Sequence, residues 1–236
     1  RYVGLTLPHV LGREPYGEAT RPIESFRFEE NVDGTDHKKY LWSNAAYSLG
    51  VRLTEAFSMH GWCVAIRGVE GGGLVDGLPT HTFETDDGEV AMKCPTEVAI
   101  TDRREKEFSD NGFIPLVHCK GTDYAAFFAT QSANKAKKYD TNEANANARL
   151  STQLQYIMAV SRFAHYLKSM MRDKVGSFMS RQEAQDFLNR WIRNYVLDSD
   201  VGSQSAKASR PLREARVDVT EVPGKPGAYR AVARQR

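Results

Sequence analysis

The sequence predicts a mixed α/β (α+β) fold: a mixed sheet flanked by helices and extended at its C-terminus by a β-hairpin. Three observations carry this expectation. Apolar runs and a short charged helix alternate between Glu97 and Thr130, which is a β-α-β rhythm. The second half holds long apolar stripes at helical spacing, each opened by a residue pair with capping-box spacing. The last twenty residues alternate polar and apolar on both sides of a Pro-Gly-rich turn.

Taken in order, residues 1–12 read as a strand ending near Pro8, and residues 13–39, which carry Pro15, Gly17, Pro22, Gly34 and several charges, read as an irregular connection. Tyr40 to His60 predicts a helix, because Leu41, Ala45, Leu49, Leu53 and Phe57 recur every four residues. Trp62 to Ile66 is a short buried strand, and Gly68 to Pro79 a glycine-rich loop. Glu97 to Ile100 predicts another strand. Asp102 to Gly112 is a charged helix with Asp102 as its cap and Gly112 at its end. Phe113 to Cys119 and Ala125 to Thr130 are two further strands.

Asp140 and Glu143 open a long helix whose stripe is Leu150, Leu154, Ile157, Val160, Phe163, Leu167, Met170 and Val175, with Gly176 as its stop. Ser180 and Glu183 open the next, with Ala184, Phe187, Leu188, Trp191, Ile192 and Tyr195 on one face and Arg181, Asp186, Arg190 and Arg193 on the other. Gly202 to Ser209 is a polar linker. Arg216 to Val222 and Tyr229 to Arg234 form the terminal hairpin around a turn at Pro223 to Gly227, with basic residues on one face.

The 236 residues are 41% hydrophobic and 26% charged, the proportions of a globular protein. No apolar run reaches the roughly 20 residues a membrane helix needs, so no membrane insertion is expected. The first residues lack a Met and read as the interior of a strand, so the chain is expected to be a fragment of a longer protein. Its three cysteines are odd in number and widely spaced, which suits a reducing compartment. Net charge is +2, yet 8 basic and 3 acidic residues fall from Val201 onward. A basic tail can bind nucleic acid or dock on an acidic subunit. Without an aromatic platform beyond Tyr229, nucleic acid is the weaker expectation.

Chemistry finds little foothold. Gly71-Gly72-Gly73 follows an apolar run, so an enzyme binding a phosphorylated ligand at Gly68 to Gly73 is the alternative reading. That loop lacks the Gly-Lys-Ser/Thr ending of a P-loop and the G-x-G-x-x-G of a dinucleotide site. His60 with Cys63, and His118 with Cys119, lack zinc-ligand spacing. No nucleophile set has family spacing. No cofactor, metal or catalytic residue is therefore expected. What stands out is the terminal hairpin, because an exposed strand edge is a template for another chain.

A series of segments carries a resemblance over almost the whole chain. It includes Pro15-Tyr16-Gly17, Phe26-Arg27-Phe28-Glu29-Glu30, Tyr40-Leu41-Trp42-Ser43-Asn44-Ala45-Ala46 and Gly61-Trp62-Cys63 through Gly73. Thr101-Asp102-Arg103-Arg104-Glu105, Arg162-Phe163-Ala164-His165-Tyr166, Leu188-Asn189-Arg190-Trp191-Ile192 and Val222-Pro223-Gly224-Lys225-Pro226-Gly227 follow in order. With these the chain resembles the C-terminal half of the large sheath subunit of the bacterial type VI secretion system, related to contractile phage tail sheaths.

The resemblance implies a phage tail sheath-like core over residues 1–200, with residues 201–236 as linker and intersubunit arm. It implies a structural, non-enzymatic role in a cytoplasmic sheath within a membrane-anchored apparatus. The implied partners are the small sheath subunit, neighbouring copies of the chain and an inner tube of Hcp rings. An AAA+ ATPase that disassembles the contracted sheath is implied to act mainly through the small subunit. Arg216, Val217, Val219, Val222, Tyr229, Val232 and Arg234 would form the arm. Arg181, Arg190 and Arg193 would face the inner tube.

Overall fold

In a computed structural model, residues 2–18, 20–174, 179–197, 202–224 and 228–235 are described. Two compact units divide the chain: residues 1–55 with 65–155, and residues 56–64 with 156–236.

The first unit is built on a four-stranded mixed sheet. β1 (Leu5–Leu7) lies parallel to β7 (Phe113–His118), which is antiparallel to β8 (Ala125–Phe127); β8 pairs antiparallel with β4 (Leu74–Val75). Short antiparallel pairs join β2 (Val10–Leu11) to β3 (Trp42–Ser43) and β5 (Thr82–Glu84) to β6 (Val90–Met92). The core gathers Val10, Ala45, Leu49, Ile114, Leu116, Ala125 and Phe127, all buried. β7 and β8 read as continuous apolar runs because sheet residues buried on both faces need no alternation.

Several sequence expectations need correction here. Helix α1 runs Ala45–His60, starting five residues later than predicted. Trp42 and Ser43 are taken by the β2 pairing, and the Asn44 carboxamide oxygen accepts the Ala46 N–H at 2.8 Å, capping the helix. Leu41 is accordingly 54% exposed.

Trp62 to Ile66 forms no strand. Trp62 and Ile66 are buried by side-chain packing rather than by a ladder. Glu97 to Ile100 forms none either: the pairing stops at a single Val10–Thr96 bridge, with the Glu97 N–H donating to the His9 carbonyl at 2.9 Å.

Helix α2 (Asp102–Asp110) is capped at Thr101, with Asp102 already helical, where its charge favours the N-terminus. Gly112 follows the helix at φ +88, a conformation that suits glycine. Thr141, not Asp140, caps α3 (Asn142–Leu150), its hydroxyl accepting the Ala144 N–H.

The predicted long helix is also broken at residues 151–153. There the main chain turns to Thr130 and Ser132: Leu154 N–H donates to the Thr130 carbonyl at 2.7 Å and Ser132 N–H to the Thr152 carbonyl at 3.1 Å. Helix α4 (Leu154–Asp173) then resumes. Val175 and Gly176 lie outside the described residues.

The second unit packs α4 and α5 (Arg181–Arg193) with the C-terminal strands β9 (Ala215–Glu221) and β10 (Tyr229–Gln235). Its core holds Trp62, Phe163, Leu167, Leu188, Ile192, Leu212, Val217 and Val219. Trp62 stacks on Phe163 with ring centroids 4.2 Å apart, and Tyr195 meets both edge-on. Arg162 closes this aromatic group, 4.4 Å above the Phe57 ring and donating to the Tyr166 hydroxyl at 2.6 Å. The capping box at the start of α5 forms in full: Ser180 Oγ accepts the Glu183 N–H, and the Glu183 carboxylate accepts the Ser180 N–H at 2.7 Å. Gly202 to Ser209 is not a linker throughout, since Ser203 caps a short helix, α6 (Gln204–Ser209).

Candidate assembly surface

β9 and β10 pair antiparallel with Val219 opposite Ala231, Asp218 opposite Val232 and Val217 opposite Ala233. Paired residues share a face. One face therefore carries Val217, Val219, Ala231 and Ala233, and the other Arg216, Asp218, Arg230, Val232 and Arg234. The basic residues lie together on the outer face, as the alternation predicts. Asp218 sits between two of them, 2.8 Å from Arg216 Nε and 4.0 Å from Arg234 Nε. Such exposed pairs contribute about 0–1 kcal/mol each.

The two strands differ sharply in burial. Val217 and Val219 are 0% and 1% exposed, whereas Tyr229 is 37% and Val232 41% exposed. Val222 is half-buried and donates its N–H to the Ala228 carbonyl at 2.9 Å. Residues 225–227, and with them most of the predicted turn, lie outside the described residues.

The inner edge of β9 is closed by side chains of α5. Asn189 exchanges two hydrogen bonds with Val217, its Nδ2 donating to the carbonyl at 2.7 Å and its Oδ1 accepting the N–H at 2.9 Å. Gln185 Oε1 accepts the Val219 N–H at 3.0 Å, and Arg181 Nη1 donates to the Val219 carbonyl at 3.5 Å. An amide side chain carries the same donor and acceptor as a peptide group, so Asn189 stands in for a neighbouring strand.

This fixes the parity of the hairpin. In an antiparallel pair, alternate residues point their N–H and C=O toward the partner. Val217 and Val219 point away from β10, so on β10 the opposed Ala231 and Ala233 point outward. No third strand pairs with that edge among the described residues. Beneath β10 lies a groove of about 590 Å³, lined by Val160, Ala164, Leu167 and Met171 of α4 together with Tyr229, Ala231 and Ala233.

The three candidate arginines of α5 are all exposed. They do not form one surface. Arg181 shares the β9-facing stripe with Gln185 and Asn189. Arg190 stands nine residues on, about two and a half turns, and so on the opposite side. Arg190 and Arg193 lie three apart and are neighbours.

Gln185 and Asn189 were missed in the sequence. Their only local signal is an amide pair at i, i+4 bordering the buried stripe of α5.

The glycine turn spends part of its polar backbone inside the fold. Gly68 N–H donates to the Phe127 carbonyl at 2.7 Å and Gly73 N–H to the Gly68 carbonyl at 2.9 Å, so two of its amides are used within the fold. A Cβ on Gly73 would stand 2.5 Å from the Phe127 oxygen, and one on Gly72 2.3 Å from the Ala65 oxygen. Gly72 and Gly73 are there for close backbone packing, which gives both a structural role apart from any ligand.

Elsewhere in the first unit, His118 Nε2 lies 2.8 Å from the Thr122 carbonyl and Nδ1 3.4 Å from Cys94 Sγ, a contact unrelated to Cys119. Buried Tyr40 and His81 share a 2.7 Å hydrogen bond. Burial pushes the Tyr40 phenol up to about 12, helped by the charge of Asp33, and pulls the His81 imidazole below its ordinary value. No helix among the described residues is long and apolar enough to cross a membrane.

Comparison with known proteins agrees with this architecture. Residues 1–134 match the family described as EvpB/VC_A0108, tail sheath N-terminal domain. Residues 143–236 match EvpB/VC_A0108, tail sheath gpW/gp25-like domain. The type VI secretion system sheath protein TssC1 of Pseudomonas aeruginosa is 54% identical over 231 residues, which are 97% of this chain and 46% of that relative. The chain thus spans about half the length of the relative it matches. With both halves matched in order and a mixed sheet and helices to suit, the chain belongs to the EvpB/VC_A0108 family of tail sheath proteins.

Proposed function

We propose that the chain is part of the large subunit of a type VI secretion sheath, a cytoplasmic polymer built with a small sheath subunit around an inner tube of Hcp rings. Its work is mechanical rather than catalytic. The observation that carries this reading is the hairpin: β9 is sealed on one edge by α5, while β10 offers an exposed edge on the other.

An exposed strand edge binds another chain by strand addition, with main-chain bonds supplying affinity. Val217, Val219 and Val222 anchor the arm, and Arg216, Tyr229, Val232 and Arg234 present it. Added strands from neighbouring subunits would keep copies tied while the rigid units rotate between an extended packing and a contracted one of lower free energy. Arg190 and Arg193 supply weak polar contacts to the inner tube, with Arg181 bracing the hairpin. Contacts of about 0–1 kcal/mol each break readily on firing. An AAA+ ATPase would recycle the contracted form, acting mainly through the small subunit.

The test is electron microscopy of the full-length protein co-expressed with its small partner. Hollow helical tubules are expected; discrete particles under all conditions would overturn the reading. Removal of residues 229–236 from the full-length protein should abolish tubules and leave the heterodimer. Tubules that persist would remove the arm from the proposal.

A further inference from the structure

We propose a second contact between copies, in which the acidic tip of the β5–β6 hairpin of one copy seats in a basic groove of the next. It rests on the polymeric reading above but uses different residues. The groove, of about 550 Å³, lies between the end of α2, the extended run 133–139 and α3. Its lining carries four cations, Lys135, Lys137, Lys138 and Arg149, against one carboxylate, Asp110. Asp110 is taken by Arg149. The three lysines are exposed and make no ion pair among the described residues.

The groove is held open. Asn145 clamps Tyr139 through both of its backbone groups, at 2.7 and 2.8 Å, and Ala133 N–H is tied to the Val3 carbonyl at 2.8 Å. Between these anchors the main chain of residues 135–138 makes no described hydrogen bond. Like charges crowded on an extended run repel one another, so this arrangement gains from a counter-charge.

The same chain carries a complementary piece. The β5–β6 turn presents Glu84, Asp86, Asp87 and Glu89, all exposed and none in an ion pair among the described residues. The turn is braced internally, with Thr85 N–H donating to the Glu89 carbonyl at 2.8 Å and Gly88 N–H to the Thr85 carbonyl at 2.9 Å. It is therefore a preformed anionic tip, and little ordering is needed on docking. Val90, 73% exposed beside it, and Tyr139, 52% exposed at the groove, add an apolar contact.

Tip and groove are different surfaces of one chain. A contact between them is head-to-tail and repeats from copy to copy, the geometry of an open helical array. The occupant is thus another copy of this chain, rather than a nucleic acid, for which the groove would serve as a bare cation patch.

The experiment mixes isotopically light and heavy full-length protein, assembled with its small partner, and treats it with a zero-length carboxyl–amine cross-linker. Mixed-isotope links joining Asp86 or Asp87 to Lys137 or Lys138 are expected, and they should disappear at about 1 M salt, where the screening length is about 3 Å. Asp86→Lys with Asp87→Lys, or Lys137→Glu with Lys138→Glu, should each lower these links about tenfold, and the combined reversal should restore them to within about threefold. Only same-isotope links, links that survive salt and reversal, or an oligonucleotide bound at the groove with no mixed links would overturn the contact. Absence of tubules under the microscope would strike the sheath reading instead, while mixed-isotope links would still establish the copy-to-copy contact.

Discussion

β9 and β10 belong to one hairpin and are each seven residues long, yet they live in different environments. β9 buries two valines in the core of its unit and has its free edge filled by Asn189 and Gln185. β10 is exposed along residues 229–234 and, among the described residues, pairs on one side alone. The difference teaches that a strand proposed as an assembly arm need not be wholly loose. One strand is fixed to the body, and it holds the other in a set register.

The sharpest way to break this comparison is Asn189→Ala. It strips partners from both the N–H and the C=O of buried Val217. At about 1–3 kcal/mol per stranded group, a loss near 3 kcal/mol is expected in urea unfolding. A loss below about 0.5 kcal/mol would mean that water serves the β9 edge as well as α5 does.

Val219→Ala comes next. Two methyl groups leave a fully packed site, for about 2 kcal/mol from transfer and cavity together. Val232→Ala on β10 should cost well under half of that, and equal costs would erase the distinction between the strands.

Ser180→Ala removes the cap of the helix that seals β9 and should cost about 1 kcal/mol. The Glu183 half of that box is sensitive to acid. Its carboxylate is held below the usual range by the Ser180 N–H and then by the Ser180 hydroxyl. The folded state therefore binds the proton less readily than the unfolded chain. The contribution is present above the ordinary glutamate range and is lost as pH falls through the lowered value. Glu183→Gln should flatten that part of the stability–pH curve between about pH 5 and 3.

In the other unit the sign is the same, but the window is higher. Burial lowers His81, so stability should fall as pH drops below about 6.5, and His81→Gln should remove that fall.

The smallest effect on folding is the most informative about function. The Ala231 N–H points away from β9, so Ala231→Pro should change stability by less than about 0.5 kcal/mol, as proline does at an edge. It should still prevent tubule formation. Val232→Pro, whose N–H faces β9, should instead open the hairpin, visible as rapid amide exchange at Asp218. If the two prolines behave alike, the parity assigned to β10 is wrong.

Much of this architecture was legible from local pattern. The alternation of Arg216 to Val222 gave β9 its faces, the Ser180–Glu183 spacing gave α5 its start, and the apolar runs gave β7 and β8. What escaped had tertiary causes. Trp62 and Ile66 are as buried as strand residues, but an aromatic stack and side-chain packing bury them, and hydropathy cannot tell stacking from a ladder. The break at 151–153 is set by the Thr130 carbonyl and the Ser132 N–H, some twenty residues away.

The arginines of α5 looked alike in sequence. Helical geometry turns Arg181 toward the Val219 carbonyl of β9 and Arg190 the other way. The acidic turn and the lysine run were equally visible as letters; that neither makes an ion pair among the described residues is visible only in three dimensions.

The amide lock on β9 has one further consequence. With that side filled by its own helix, the hairpin can accept a guest strand at a single place. On the proposed sheath reading, growth by strand addition through this sheet runs in one direction, so a filament's polarity would be written into each copy before it meets another.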